Sequence, residues 1–163
     1  MAKKDKKTGL ISVNQTVTDN RRARFDYHLE EKFDAGIELT GTEVKSLRHG
    51  QCSLNEAFAA DHDGEIWLYN CYIAEYQQAG THLQHAPRRP RRLLLKKKEI
   101  HRLMGAVTRD GYTIVPVKLY FNGKGLAKVE IALAKGKKQY DKRETSKERD
   151  WGRQKQRLLK SRE

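Results

Sequence analysis

The sequence is poor in cysteine, with only Cys52 and Cys71 among its 163 residues. Two thiols cannot build a disulfide framework, and a structural zinc site needs three or four ligands at set spacing. We therefore expect two reduced thiols in a cytoplasmic protein. Long apolar runs are absent too: no stretch approaches the roughly 20 residues of a membrane-spanning helix, and residues 1–7 lack the apolar core of a signal peptide. No membrane partner is expected.

The sequence also lacks a recognisable catalytic constellation. None of its six histidines pairs with another histidine or a cysteine at metal-ligand spacing. Residues 61–63 (Asp-His-Asp) fall in a predicted hairpin turn, where aspartate is expected for turn chemistry. Residues 123–125 (Gly-Lys-Gly) are too short for a phosphate-binding loop and lead into a strand, not a helix. We therefore predict no enzyme activity, no cofactor and no metal site.

Positive charge is what the chain has in excess. Its 34 Lys and Arg against 21 Asp and Glu give a net charge of +13, with a pI near 9.8 and a mean hydropathy of −0.89. Three basic clusters lie at residues 21–24, 88–98 and 135–143. This balance predicts a polyanionic partner, with nucleic acid as the first choice. A membrane surface is disfavoured because no helical stretch pairs a basic face with a broad apolar one, whereas an acidic protein stays open.

Several segments show the two-residue alternation of half-buried strands. Residues 25–39 alternate throughout, with Glu31 as the one break, and their length predicts a bend or tight turn near residues 34–36. Residues 61–64 (Asp-His-Asp-Gly) and 122–125 (Asn-Gly-Lys-Gly) predict two hairpins. In the second hairpin the alternation turns Lys128 outward.

Two segments instead show helical spacing. Residues 42–48 predict a short helix that Thr42 caps, and Ile100, Leu103, Met104 and Val107 form the apolar stripe of another that ends at residues 110–111. The chain is therefore predicted to be mainly β with short helices: about six antiparallel strands closed into a small barrel, because closure hides the strand edges.

The C-terminal end differs from this body. From residue 135 onward it carries +7 of the net charge but has Tyr140, Trp151, Leu158 and Leu159 as its only large apolar residues. This small apolar area cannot offset the entropy lost when the segment becomes ordered. We therefore expect residues from about 144 to 160 to form a helix only against a partner. Trp151, Leu158 and Leu159 would anchor it; weak packing back on the barrel is the alternative.

Five segments identify a relationship. NRRARFDY (20–27), LTGTEVKSLR (39–48), LLL (93–95), AKGKKQYDKR (134–143) and ERDW (148–151) closely resemble the SsrA-binding protein (small protein B) family, at the same order and spacing. The likeness covers roughly residues 9–160. It implies an oligonucleotide-binding-like β-barrel over residues 9–135, preceded by a flexible basic N-terminus (1–8) and followed by a basic tail (136–163) that folds on binding.

The resemblance also implies a function. Such proteins bind the tRNA-like domain of transfer-messenger RNA and, with elongation factor Tu, deliver it to ribosomes stalled on mRNA without a stop codon. The tail would become helical in the vacant mRNA channel, beside the decoding centre and small-subunit rRNA. Translation then resumes on the RNA's own reading frame, and the nascent peptide is tagged for proteolysis. A monomer is expected.

The same motifs imply site residues. Asp34 stands where the family commonly has Glu, and Leu94 would support the RNA-binding face by packing. Tyr140 stands where His is frequent, and either ring can stack on a base. The RNA-binding residues would be Asn20, Arg22, Arg24, Tyr27, Asp34, Leu94 and Lys128. The ribosome-engaging tail would use Lys135, Lys137, Lys138, Tyr140, Asp141, Lys142 and Arg143, with Trp151, Leu158 and Leu159 as anchors.

Two other readings fit a basic barrel with a tail. One is a structural rRNA-binding protein of the ribosome, which would be present stoichiometrically on actively translating ribosomes. The other is an RNA-processing enzyme, which would show metal-dependent turnover of bound RNA.

Overall fold

The computed structural model describes residues 9–137 and 139–161. The predicted flexible N-terminus (1–8), Lys138 of the tail and the last two residues lie outside the described residues, and for residues 139–141 the description is limited to the backbone. The described elements, in chain order, are β1 (Gln15–Asp19), α1 (Arg21–Asp26), β2 (Tyr27–Ile37), α2 (Gly41–Arg48), β3 (Cys52–Ser53), β4 (Phe58–His62), β5 (Glu65–Tyr69), β6 (Tyr72–Ile73), β7 (Arg91–Leu94), α3 (Lys97–Asp110), β8 (Thr113–Phe121), β9 (Ala127–Gly136) and α4 (Gln139–Lys160).

The sheet closes on itself as an antiparallel barrel. Strands β8, β4, β5, β7, β2 and β9 pair in that order, and β9 pairs again with β8. β1 adds to β8 beside the ring, and β3 with β6 forms a separate two-stranded sheet. The seam between β4 and β8 is thin, with Ala59 opposite Ile114 as its one pair in register. The predicted small antiparallel barrel is confirmed.

The barrel interior is filled by the inward residues of these strands. α2 contributes Leu47 to this core, and α3 contributes Ile100, Leu103 and Ala106. Ile100 and Leu103 belong to the predicted stripe, and its other two members, Met104 and Val107, are partly buried against the core. Gly111, at φ 69°, ends α3 in the left-handed conformation as expected. The strands contribute, among others, Ala35, Ile66, Leu68, Leu93, Ile114, Leu119, Phe121, Val129, Ile131 and Leu133.

β2 contains a bulge, for which the only sign in the sequence is the break in alternation at Glu31. In its pairing with β9, Leu29 faces Ala134 and Lys32 faces Ala132, so β2 fits one extra residue between these pairs. The alternation therefore changes phase there. Phe33 packs on the barrel core, whereas Leu29 packs on a second cluster.

The bend predicted at residues 34–36 is wrong in position, because β2 runs unbroken to Ile37. The irregularity instead lies between Leu29 and Lys32, around Glu31, the one residue that interrupts the alternation. The hairpin turn between β4 and β5 agrees with the prediction: Asp63 and Gly64 both have positive φ, 50° and 77°, as a two-residue turn of this type requires.

The N-cap of α2 lies two residues before the predicted one. Thr40, not Thr42, precedes the helix, and its backbone N–H donates to Glu43 Oε1 at 2.9 Å. Thr42 instead shares a hydrogen bond of 2.8 Å with His85 Nδ1. Over the described ranges, none of the helices is long and apolar enough to cross a membrane.

A buried ion cluster fastens α2 to β7. The side chains of Glu43 and Arg91 are both 0% exposed, and Arg91 Nε donates to Glu43 Oε2. Arg89 pairs with Glu43 Oε1, and Arg91 Nη1 also donates to the Cys71 carbonyl at 2.6 Å. Two arginines of the basic cluster at residues 88–98 therefore neutralise a buried carboxylate.

Candidate nucleic-acid interface

α1 carries the arginines of the first basic cluster, and Asn20 fixes its start. Asn20 is only 2% exposed. Its Oδ1 accepts the Ala23 N–H at 3.1 Å, while its Nδ2 donates to the carbonyls of Leu54 (3.1 Å) and Pro116 (2.8 Å). Asn20 is thus an N-cap and a tie between α1 and the barrel, and in this conformation it offers almost no surface to a ligand.

Replacing Asn20 by aspartate is expected to lower the free energy of unfolding by about 2–3 kcal/mol, because a buried carboxylate would face the carbonyls of Leu54 and Pro116 without a donor. Chemical denaturation measures the loss. The exposed Asn55, changed to aspartate in the same way, is the matched control and should shift stability by less than about 0.5 kcal/mol. Equal losses in the two variants would remove the structural role given to Asn20.

The arginines of α1 point away from the barrel. Ala23 is the buried residue of this helix and packs on Val115 and Ala134, which places α1 on the outer face of β8 and β9. Arg22 Nε lies 3.5 Å from Asp26 Oδ2, and Arg24 Nη1 lies 3.2 Å from Asp19 Oδ2. Exposed ion pairs of this kind are worth at most about 1 kcal/mol, so a phosphate can exchange with either carboxylate at little cost.

Register places further predicted residues in one row on the outside of the barrel. Gly36 of β2 faces Leu94 of β7 on one side and Lys128 of β9 on the other, and Lys128 in turn faces Tyr120 of β8. Gly36 leaves room for Leu94, because a Cβ at position 36 would lie 3.1 Å from Leu94 Cβ, closer than most such contacts. Leu94 therefore lies over bare backbone while 47% exposed.

Asp34 lies two residues before Gly36 on the same face of β2. Its Oδ1 accepts the Tyr120 hydroxyl at 2.9 Å. Desolvation of the phenol, with this hydrogen bond to an anion, raises the pKa of Tyr120 to about 12. The Tyr120 hydroxyl thus donates to the Asp34 carboxylate and holds it beside the row that contains Lys128.

A second row of charge adjoins the first and was not singled out from the sequence. Glu130 of β9 lies between Lys32 and Lys118, at 3.5 and 3.4 Å. The alternation that turns Lys128 outward in β9 also turns Glu130 outward, and alternation in β8 turns Lys118 and Tyr120 outward. The signal was available, but no motif marked these residues as functional.

The outer face of β2 and β9 thus collects most of the predicted RNA-binding set. The bulge in β2 turns Tyr27 to this side, where it packs on the same cluster as Ala23. We call this surface the β2–β9 face. It includes Tyr27, Asp34 and Lys128, the neighbouring Leu94, and Arg22 and Arg24 of α1, with Asn20 buried beneath.

The tail is helical and contacts α1. α4 begins at Gln139, earlier than the predicted start near residue 144. Lys142 Nζ lies 3.3 Å from Asp26 Oδ1, and Lys137 Nζ donates to the Arg24 carbonyl at 3.2 Å. The Arg149 guanidinium lies 5.6 Å from the centre of the Phe25 ring.

The remaining tail residues divide between body and solvent. Lys135, predicted for the tail, belongs to β9 and places its Nζ 4.5 Å from the centre of the Tyr112 ring. Arg143 is exposed on α4. Lys138 lies outside the described residues, and Tyr140 and Asp141 are described only as helical backbone. The predicted anchors Trp151, Leu158 and Leu159 are all exposed.

The two cysteines lie close together near the buried ion cluster. Cys52 and Cys71 are both free, with their sulfur atoms 4.0 Å apart. The hydrogen bond with Cys71, together with burial, raises the pKa of Cys52, so its thiol stays protonated. Across residues 9–137 and 139–161 there is no group of three or more His, Cys, Asp or Glu side chains arranged to hold a metal ion.

Comparison with known proteins covers nearly the whole chain. The family described as SmpB protein matches residues 17–161. An SsrA-binding protein of Rhizobium etli (strain CIAT 652) is 59% identical over 148 residues, which cover 91% of this chain and 92% of the relative. An SsrA-binding protein of Azorhizobium caulinodans is 54% identical over 162 residues, which cover 99% of each chain.

A solved structure is similar in fold as well as in sequence. It is described as "tmRNA-SmpB: a journey to the center of the bacterial ribosome", and one of its chains is 49% identical to this one. The match has a TM-score of 0.63 and covers 78% of this chain and 92% of the other. Sequence and fold therefore point to the same relatives.

Proposed function

This chain belongs to the SmpB protein family, and from that premise we propose that its β2–β9 face binds the tRNA-like domain of transfer-messenger RNA. The protein binds transfer-messenger RNA and acts in trans-translation on the bacterial ribosome, as its relatives' name and the related ribosome complex indicate. Delivery would involve elongation factor Tu, in the cytoplasm, with the protein as a monomer. Rescue of the stalled ribosome ends with a tagged nascent peptide.

The observation that carries the choice of face is the convergence of separate segments. Arg22 and Arg24 come from α1, Tyr27 and Asp34 from β2, and Lys128 from β9, and the β2 bulge and the strand register turn them to one side. Cationic side chains held by weak surface ion pairs supply phosphate affinity, while an aromatic ring can stack on a base. The fold thus offers both parts of an RNA-binding surface together.

The tail would have a separate role. α4 is basic along its length and exposes Trp151, Leu158 and Leu159. We assign it to the ribosome, where its helix would occupy the empty mRNA channel near the decoding centre and so report that mRNA is absent. There the tail's cations would pair with rRNA phosphates: Lys137 and Lys142 would leave their contacts with α1, and the exposed Arg143 would gain a partner.

Lys128 provides the test of the β2–β9 face. Replacing Lys128 by alanine is expected to weaken transfer-messenger RNA binding about tenfold and to reduce the slope of log affinity against log salt by about one, as for a single lost phosphate contact. Filter binding between 50 and 300 mM salt measures both. The control is Lys124→Ala, which removes the same charge from the exposed turn between β8 and β9. If both variants lose affinity equally, binding depends on net charge and not on this face.

A further inference from the structure

An open groove of about 430 Å³ lies between α1 and the start of β4. Ala23 and Val115 line its inner part, where α1 packs on β8. Arg22 and Tyr27, both assigned to the β2–β9 face, line one side, and Phe58 lies on the β4 side. The groove is therefore continuous with the proposed RNA-binding surface but extends beyond the residues assigned to it.

Phe58 gives this groove an aromatic wall. It is 41% exposed, because β4 turns Ala59 into the barrel and Phe58 outward. Its ring stacks on Tyr69, with centroids 5.4 Å apart and planes at 21°. A neighbouring ring that fixes its orientation makes Phe58 a prepared surface for a flat ligand, since every nucleobase has a face that can stack on it.

The charges around the groove indicate which way a nucleotide would lie. Arg22, 64% exposed in its side chain, is a cation on its lining. Two carboxylates, Asp26 and Glu56, also line it, and Arg88 lies 3.5 Å from Glu56. Carboxylates repel phosphate and accept hydrogen bonds from the amino edge of a base. The base therefore fits inside, and the phosphate fits at Arg22.

We propose that this groove holds one unpaired nucleotide of transfer-messenger RNA, with its base stacked on Phe58 and its phosphate paired with Arg22. The inference rests on the proposed function, and it adds a base-binding subsite to it. Single-stranded bases that can be splayed out are what aromatic surfaces of RNA-binding proteins recognise. A base-paired nucleotide is excluded, because its neighbours in the helix already cover both faces of its ring.

Replacing Phe58 by leucine tests the stacking. Leucine keeps an apolar side chain at a half-exposed position but removes the ring, so the fold should survive while the affinity of the full chain for transfer-messenger RNA falls about tenfold, or about 1.4 kcal/mol. Phe58→Tyr keeps the ring and should bind within about twofold of the original. Leu126→Ala, an exposed apolar residue next to the β8–β9 turn, is the control for loss of surface apolar area.

Ultraviolet crosslinking gives a second measurement that a purely structural role would not change. Short-wavelength irradiation of the complex, followed by mass spectrometry, should join Phe58 to one nucleotide, and chemical probing of the free RNA should find that nucleotide unpaired. Binding of Phe58→Leu within twofold of the original, together with no crosslink at Phe58, overturns the subsite. The Lys128→Ala result separates the two proposals: if that variant binds weakly while Phe58→Leu binds normally, the β2–β9 face stands and the groove falls.

Discussion

Replacing Glu43 by alanine is expected to lower the free energy of unfolding by about 3–5 kcal/mol, because it leaves the buried Arg91 guanidinium without its anion. Both side chains are 0% exposed. Arg91 keeps hydrogen bonds to the carbonyls of Cys71 and Pro87, but carbonyl dipoles do not neutralise a full charge. Guanidinium chloride denaturation measures the change as a lower midpoint at constant slope.

The control is a pair of the same chemistry at the surface. Glu31 Oε2 lies 2.9 Å from Arg102 Nη2, and both side chains are well exposed. Glu31→Ala should therefore cost no more than about 1 kcal/mol. If the two alanine variants lost equal stability, burial would not be what makes the Glu43 pair important.

Glu43 also gives the stability of the protein an expected pH dependence. Burial alone would raise the pKa of Glu43, but hydrogen bonds from Arg89, the Thr40 N–H and Arg91 outweigh it and hold that pKa below the ordinary value of 4.5. A depressed carboxyl pKa contributes stability that is present above the unfolded value and is lost as pH falls through the folded value. The stability difference between the original chain and Glu43→Gln should therefore shrink as pH falls below about 4.5.

The buried ion cluster around Glu43 also shows what the charges in a sequence cannot predict. Seven positive residues between 88 and 98 suggested a polyanion-binding patch. Two of them, Arg89 and Arg91, instead satisfy Glu43, and Arg92 pairs with Glu38 and Glu65. A count of charges cannot find an acid that lies some 46 residues earlier in the chain, because the fold alone brings α2 against β7.

Sequence patterns predicted the structure reliably where the conformation depends on contacts between residues close together in the chain. The Asp63–Gly64 turn, the α3 stripe and the outward phase of Lys128 all rest on contacts within one hairpin or one helix, and all are confirmed. The bulge in β2 depends on pairing with β9, about 100 residues later, so the sequence showed only a break in alternation. Its effect is large, because it turns Tyr27 to the outer face.

The resemblance could not describe what Asn20 does in the fold. The motif placed it among RNA-binding residues, whereas its side chain holds α1 to the carbonyls of Leu54 and Pro116. A residue can be required for a binding face because it positions its neighbours. The distinction depends on burial, which the sequence of a six-residue helix does not reveal.

Ending the chain after Lys137 is expected to leave transfer-messenger RNA affinity within about twofold and to abolish peptide tagging. β9 ends at Gly136, and the Lys137 N–H donates to the Asp26 carbonyl at 2.8 Å, so this cut keeps both the strand and that hydrogen bond. A cut before residue 136 would also remove the Tyr27–Gly136 pair at the edge of the β2–β9 face. RNA binding and a reconstituted tagging assay, run on one preparation, measure the two effects.

The expected retention of affinity follows from how weakly α4 is held. Its described contacts with α1 include one half-exposed ion pair, Lys142 to Asp26 at 3.3 Å, and the stacking of Arg149 on Phe25 at 5.6 Å. Contacts of this kind are worth at most about 1 kcal/mol each, so the barrel should melt within about 8 °C of the full chain, at about 2–4 °C per kcal/mol. A collapse of RNA affinity on truncation would contradict the division of labour between barrel and tail.

A second variant separates the tail's charge from its apolar residues. Trp151, Leu158 and Leu159 recur at helical spacing and are exposed, so α4 presents apolar area that the described body does not cover. Changing the three to alanine keeps every charge and favours helix, and it should leave RNA binding and thermal stability unchanged. Tagging should nevertheless fall to the level of the truncated chain, because these side chains would bury their apolar area only against the ribosome. Normal tagging by this variant would mean that the tail acts through its positive charge alone.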